Sequence, residues 1–240
     1  MKIGLFGDSF AHDDETKTGK SYIEYLNERN DFEIVAHGMS GSGMYYSYKK
    51  FLEHNKDYQK VIFITTHPGR LWLRNSKNSV VEHTYNLASA EHLLKHETKL
   101  KTEDVKRLNA VVDYVKYIYN QEEQQDYWKL MLDRIKSIRP DALIIDAFHI
   151  YKHDDNTKTI NETDCIVLED LARLDLMKNG KPILGSLGVE DMRKTHLSEA
   201  NSIVFANKIL EWIKTGNWYF KDKDEFFESQ GIEAYYNDRR

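Results

Sequence analysis

Short, unbroken apolar runs alternate along this chain with stretches whose apolar positions recur every three or four residues. The first run, Ile3-Gly4-Leu5-Phe6, is bounded by Gly7-Asp8-Ser9 and predicts a buried strand. Tyr22, Tyr25 and Leu26 then share one face of a helix expected over Ser21–Arg29. Phe32-Glu33-Ile34-Val35 predicts a second strand, ended by the glycines 38, 41 and 43. The clearest run is the third, Val61-Ile62-Phe63-Ile64, stopped by Thr65-Thr66-His67-Pro68-Gly69. Ala142-Leu143-Ile144-Ile145 makes a fourth, and Pro182-Ile183-Leu184 a weaker fifth. Strands that are apolar throughout and separated by helices belong to parallel sheets covered on both faces. The expected architecture is therefore a three-layer α/β/α sandwich around a central parallel sheet.

About 75 residues lie between the third and fourth strands, far more than one crossover helix needs. Residues 70–100 are polar and weakly periodic. Val105, Leu108, Val111, Val112, Val115 and Ile118 then space as an amphipathic helix, and Trp128, Met131, Leu132, Ile135 and Ile138 repeat the pattern beyond a polar hinge at Gln121–Asp126. The second of these helices is the crossover into strand four. Residues of about 70–125 read as a helical insertion, a candidate lid over the strand ends. The last helix is expected over Ser198–Trp212, with Ile203, Ala206, Ile209, Leu210 and Ile213 inward and Ser198 as N-cap. One domain is thus expected over 1–214. An aromatic, charged tail over 215–240 either packs on its own domain, the favoured reading, or meets a second copy in a homo-oligomer.

Composition narrows the class. Charged residues make up 30% of the 240 and hydrophobic ones 40%, with 15 Tyr among the latter; a globular chain averages about 25% charged, so the core is lean for the length. Aromatics at 12% and the Val/Ile/Leu runs still argue against disorder. The net charge of −5 comes from 34 basic and 39 acidic residues interspersed in sequence, which points away from nucleic acid and anionic membranes as partners. A single cysteine, Cys165, closes no internal disulfide and builds no thiolate metal cluster. No window approaches the roughly 20 apolar residues of a membrane helix. The apolar N-terminal stretch is broken by Asp8 and by His12-Asp13-Asp14-Glu15, unlike a secretion signal. A soluble, cytoplasmic protein with no cofactor is the expectation.

Candidate chemistry gathers at the strand ends, where open α/β sheets bind ligands. Gly7-Asp8-Ser9-Phe10 follows strand one, Gly38-Met39-Ser40-Gly41-Ser42-Gly43 strand two, and Thr65-Thr66-His67-Pro68 strand three. Asp191-Met192-Arg193-Lys194-Thr195-His196-Leu197-Ser198 precedes the last helix. A serine hydroxyl needs a base to become nucleophilic, and imidazole titrates near neutral pH. Glycines at 41 and 43 let the backbone approach such a site closely. Other constellations are weaker. Thr18-Gly19-Lys20-Ser21 imitates the end of a phosphate-binding loop, but position 14 is Asp where glycine is required, so Lys20 and Ser21 are expected to open a helix. His92 and His96 stand four apart without an HExxH context and read as a solvated helix face. Tyr45-Tyr46-Ser47-Tyr48 suits a sugar cleft or helix packing equally.

In these blocks the sequence resembles the SGNH (GDSL-like) hydrolase family, from strand one to the last helix with the middle insertion outside. The resemblance implies a flavodoxin-like fold and ester hydrolysis through an acyl-enzyme. Ser9 would be the nucleophile, His196 its base, and Asp191 the group that orients the imidazole. The Ser9 and Gly41 N–H groups would form the oxyanion hole. Two departures stand out. The family's third block carries an asparagine that this chain lacks, leaving Thr66 or His67 as third donor. Arg193, not Asp, lies three residues before His196; Asp191 lies five before and reaches the ring only through a bulge, failing which a backbone carbonyl holds it. Arg70 either meets an anionic substrate or forms a surface salt bridge. The implied substrate is a small-molecule or glycan ester, or a lipid ester. Two other readings stay open: a catalytically weak protein of the same fold with a binding or assembly role, and a phosphate-binding module using the glycine loops and helix N-termini.

Overall fold

In chain order the elements are β1 (Lys2–Phe6), a 3-10 turn at Ser9–Ala11, α1 (Tyr22–Asn27), β2 (Glu33–Ala36), α2 (Met44–His54), β3 (Lys60–Ile64), β4 (Leu71–Arg74), β5 (Val80–Tyr85), α3 (Leu87–His96), α4 (Thr102–Tyr117), α5 (Gln121–Ile138), β6 (Leu143–Ile145), β7 (Met177–Lys178), β8 (Lys181–Pro182) and α6 (Glu199–Thr215). This computed structural model describes residues 1–12, 20–29, 31–66, 70–74, 80–85, 87–97, 100–145, 147, 177–178, 181–182 and 199–218.

Four of the apolar runs form one parallel sheet in the order β2-β1-β3-β6. Its register pairs Leu5 with Ala36 on one side and with Ile62 on the other, and Phe63 with Ile144. The pleat sends alternate side chains to opposite faces. Ile3, Leu5, Ile62, Ile64, Leu143 and Ile145 meet α1 and α6, through Leu26, Phe205, Ile209 and their neighbours. Phe6, Val61, Phe63 and Ile144 meet α2 and α5, through Met44, Phe51, Trp128, Leu132 and Ile135. Burial on both faces is the physical counterpart of the unbroken runs, and the three-layer α/β/α sandwich is as expected.

Local chemistry sets the helix starts. Ser21 accepts from the Glu24 N–H at 3.2 Å and donates its own N–H to the Glu24 carboxylate at 2.6 Å, a capping box that opens α1. Of the phosphate-loop lookalike, Lys20 and Ser21 therefore open a helix, with Lys20 ion-paired to Glu28, while Thr18 and Gly19 lie outside the described residues. The polar Gln121–Asp126 stretch is the beginning of α5 and not a hinge. Asn120 accepts from the N–H groups of Glu122 and Glu123, and two acidic residues in the first turn favour the helix dipole. The break falls instead at 118–120, and Ile118 is exposed.

The insertion holds an antiparallel β4-β5 hairpin followed by α3 and α4. The two helices close on each other around Ala90, Leu108 and Val111, a small core apart from the sheet. The crossover into β6 is α5, as its pattern requires. The weak fifth run departs from expectation: Pro182 pairs antiparallel with Met177 in a two-residue ladder, while Ile183 and Leu184 lie outside the described residues. A proline has no N–H for the ladder of a central strand. Trp218, at the start of the tail, is buried edge-on to Phe205 in the main core; residues 219–240 lie outside the description.

Candidate active site

The strand order reverses direction between β1 and β3, which makes the crevice at their carboxyl ends the topological switch point of the sheet. The loops after β1, β2 and β3 all meet there.

The first loop carries Ser9 on its 3-10 turn. Asp8 caps that turn: its Oδ1 accepts the Phe10 N–H at 3.0 Å, and its carbonyl accepts the Ala11 N–H at 3.0 Å. Asp8 is fully buried and Ser9 nearly so. The second loop presses directly on this turn. Gly38 donates its N–H to the Ala11 carbonyl at 3.1 Å, so closely that a Cβ on Gly38 would stand 2.2 Å from the Ala11 carbonyl carbon and 2.5 Å from the Asp8 oxygen. No side chain fits there. Beyond Gly38, Ser42 donates its N–H to the Met39 carbonyl at 3.0 Å, closing a turn with Gly41 at φ +74° in its third position. That is where a type II turn calls for glycine. The Ser42 hydroxyl is directed to the Gly7 carbonyl at 3.5 Å.

The third loop completes the crevice. Thr65 ties β3 to β6, donating its N–H to Ile145 and accepting the Ala147 N–H on its hydroxyl at 3.0 Å. Thr66 is fully buried, and its hydroxyl has no hydrogen-bond partner among the described residues. Arg70 turns back toward the first loop: its Nη1 is ion-paired with the Asp8 Oδ2 and donates to the Ser42 carbonyl at 3.2 Å.

No protein-family model matches the chain, and no curated protein does. Among solved structures it is similar to an acetylxylan esterase from Geobacillus stearothermophilus at 12% identity, covering 92% of this chain and 97% of that one with a TM-score of 0.42. It is also similar to a member of the lipolytic G-D-S-L family from Veillonella parvula, at 10% identity with 89% and 98% covered and a TM-score of 0.42. A psychrotrophic esterase from Pseudoalteromonas gives 10% identity, 90% and 97% coverage and a TM-score of 0.41. The resemblance to the SGNH (GDSL-like) hydrolases rests on the sequence blocks around Ser9 and Gly41.

Of that family's blocks, the described residues hold Ser9, Gly41 and Thr66, and bring their loops together at one crevice. His67, Asp191 and His196 lie outside the described residues. Sequence reasoning passed over two contributors. One is the buried Asp8 carboxylate, which an Asp two residues before a backbone N–H it can cap would have signalled. The other is Gly38, whose part is close backbone approach and not turn freedom. No group of three or more His, Cys, Asp or Glu among the described residues could hold a metal ion, and no described helix is long and apolar enough to cross a membrane.

His37, just before Gly38, stacks between Phe6 and His54 at ring-centroid distances of 4.9 and 4.6 Å, with Nε2 against the Tyr58 hydroxyl. Burial, then the neighbouring His54, push its pKa below the usual imidazole value. The residue behind the Gly38 contact therefore favours the neutral ring. Of the tyrosines 45–48, Tyr45 is exposed and Tyr48 packs on the α2–α5 core.

Proposed function

We propose that this chain is a serine ester hydrolase of SGNH type. The observation that carries the reading is the fusion of the Ser9 turn with the Gly41 turn at the switch point, through the Gly38–Ala11 backbone contact. The candidate nucleophile and the glycine turn then border one crevice.

In this mechanism Ser9 Oγ attacks the ester carbonyl while His196 takes its proton. The carbonyl oxygen becomes an oxyanion held by the Ser9 and Gly41 N–H groups. Collapse expels the alcohol, which receives the proton from His196, and water admitted through the same base cleaves the acyl-enzyme. Each oxyanion donor is worth about 10²–10³ in rate. For the third donor Thr66 is favoured by its unpartnered, buried hydroxyl, since an unmet hydroxyl costs about 1–3 kcal/mol until something accepts from it. His67 is the other candidate for that place, and Asp191 or a backbone carbonyl holds the imidazole. The substrate class is an ester of a small molecule, carbohydrate or lipid.

The test is intact-mass labelling with a fluorophosphonate, followed by peptide mapping, on wild type and His196→Ala. One adduct on Ser9 that depends on His196 is the expected result. A folded protein without that adduct would sink the acyl-enzyme mechanism and favour a binding or assembly role for the same fold.

A further inference from the structure

We infer that Arg70 is a positioning residue for the reaction at Ser9: its guanidinium sets the Gly41 turn against the nucleophile turn, and it does not serve as a receptor for an anionic substrate. The inference rests on the serine hydrolase reading and assigns a part to a residue that grips Asp8, beside the nucleophile, and Ser42, beside the glycine turn.

The geometry carries it in three steps. A single nitrogen, Arg70 Nη1, serves the first loop through Asp8 Oδ2 and the second through the Ser42 carbonyl. Movement of one loop against the other must stretch one of these contacts. Next, neither partner has slack. The other oxygen of Asp8 caps the Ser9 turn at Phe10, and Ser42 is itself buried with its N–H on Met39 and its hydroxyl toward Gly7. Finally, the two contacts flank the Gly41 turn: Gly38 seats one end of it on Ala11, and Ser42 seats the other on Arg70.

The pair is also withdrawn from solvent. Asp8 is 0% exposed and the Arg70 side chain 12%. A guanidinium already committed to a buried carboxylate is poorly placed to receive a second anion. Oxyanion donors act only when preorganised, and a displacement of about 1 Å is enough to cost about 100-fold in rate.

The experiment compares full-length wild type, Arg70→Met, Arg70→Lys and the charge-neutral double variant Asp8→Asn/Arg70→Met. The double variant keeps an oxygen to cap Phe10 and guards against a fold lost to one unpaired buried charge. The readouts are the rate of fluorophosphonate labelling at Ser9, and kcat and KM on a neutral aryl acetate and an anionic aryl hemisuccinate. Positioning predicts that labelling and kcat fall about 100-fold in Arg70→Met and in the folded double variant, equally for both esters, with KM unchanged. Arg70→Lys, which keeps the charge, recovers about a tenth to a third of the wild-type rate. A rise in KM confined to the anionic ester, with kcat kept, would overturn the inference in favour of a substrate receptor. Unchanged labelling in the folded variants would also overturn it while leaving the hydrolase reading intact. Absence of Ser9 labelling in wild type would overturn both.

Discussion

Two arginines tie this sheet together at opposite edges, and they do it with different partners. At the amino edge, Arg139 donates to the carbonyls of Asn55, Tyr58 and Gln59 at 2.7, 3.1 and 3.0 Å, and to Asp141 through two bonds of 2.9 Å. At the carboxyl edge, Arg70 bridges Asp8 and Ser42. The two guanidinium side chains are almost equally covered, at 15% and 12% exposure, but Asp141 is 53% exposed and Asp8 not at all. Closing the loops before β3 and β6 needs only neutral carbonyls and a wet carboxylate. At the candidate active site the carboxylate has been taken out of water, where desolvation consumes most of the Coulombic gain. A buried pair of that kind is poor value as stability. It is better understood as a device for fixed geometry beside Ser9.

The largest effect should come from breaking the buried pair. Asp8→Ala leaves Arg70 without its counter-charge and removes the cap on Phe10, so unfolding free energy should drop by about 3–5 kcal/mol in a denaturant titration. A loss below about 1 kcal/mol would mean that water reaches the pair and that the two edges are alike. Arg139→Met should cost less, about 1–2 kcal/mol, because it strands only neutral carbonyls and a half-exposed carboxylate and leaves no buried charge unpaired. The contrast between the two edges stands only if the first loss clearly exceeds the second.

How much of this was legible beforehand follows from the range of each interaction. The parallel sheet was readable because Val61–Ile64 and Ala142–Ile145 are buried on both faces, and burial leaves a local trace in the sequence. Ser9 and Gly41 could be singled out because their blocks are contiguous. The Asp8–Arg70 pair could not, since its partners lie 62 residues apart and each alone looks like an ordinary polar loop residue. Gly38 was visible as a glycine, but its reason, the Ala11 backbone 2.2 Å from where a Cβ would sit, exists only in three dimensions. The misplaced hinge at Gln121–Asp126 has a different cause. Periodicity counts apolar positions, and a first helical turn made of Gln and Glu has none; its signal was the Asn120 cap.

The smallest expected effect probes what kind of pair the amino edge holds. Arg139 grips Asp141 with two parallel hydrogen bonds and so pulls the carboxyl pKa below its usual value, against a smaller opposing push from burial. The sign then follows from linkage. A depressed folded-state pKa means that the unfolded chain binds the proton first. The stabilisation is complete above the ordinary value of about 3.8 and is lost as pH falls below it toward the folded-state value. Because half of Asp141 faces solvent, screening holds its worth under about 1 kcal/mol. Asp141→Asn should therefore lower stability slightly at pH 7, and wild type and variant should draw together in urea titrations as pH is lowered below the ordinary value of 3.8. Raising ionic strength to 1 M should shrink the pH 7 difference as well. A difference that survived both acid and salt would show that Asp141 acts as a neutral acceptor in the turn before β6, and the wet ion pair would no longer be the counterpart of the buried one.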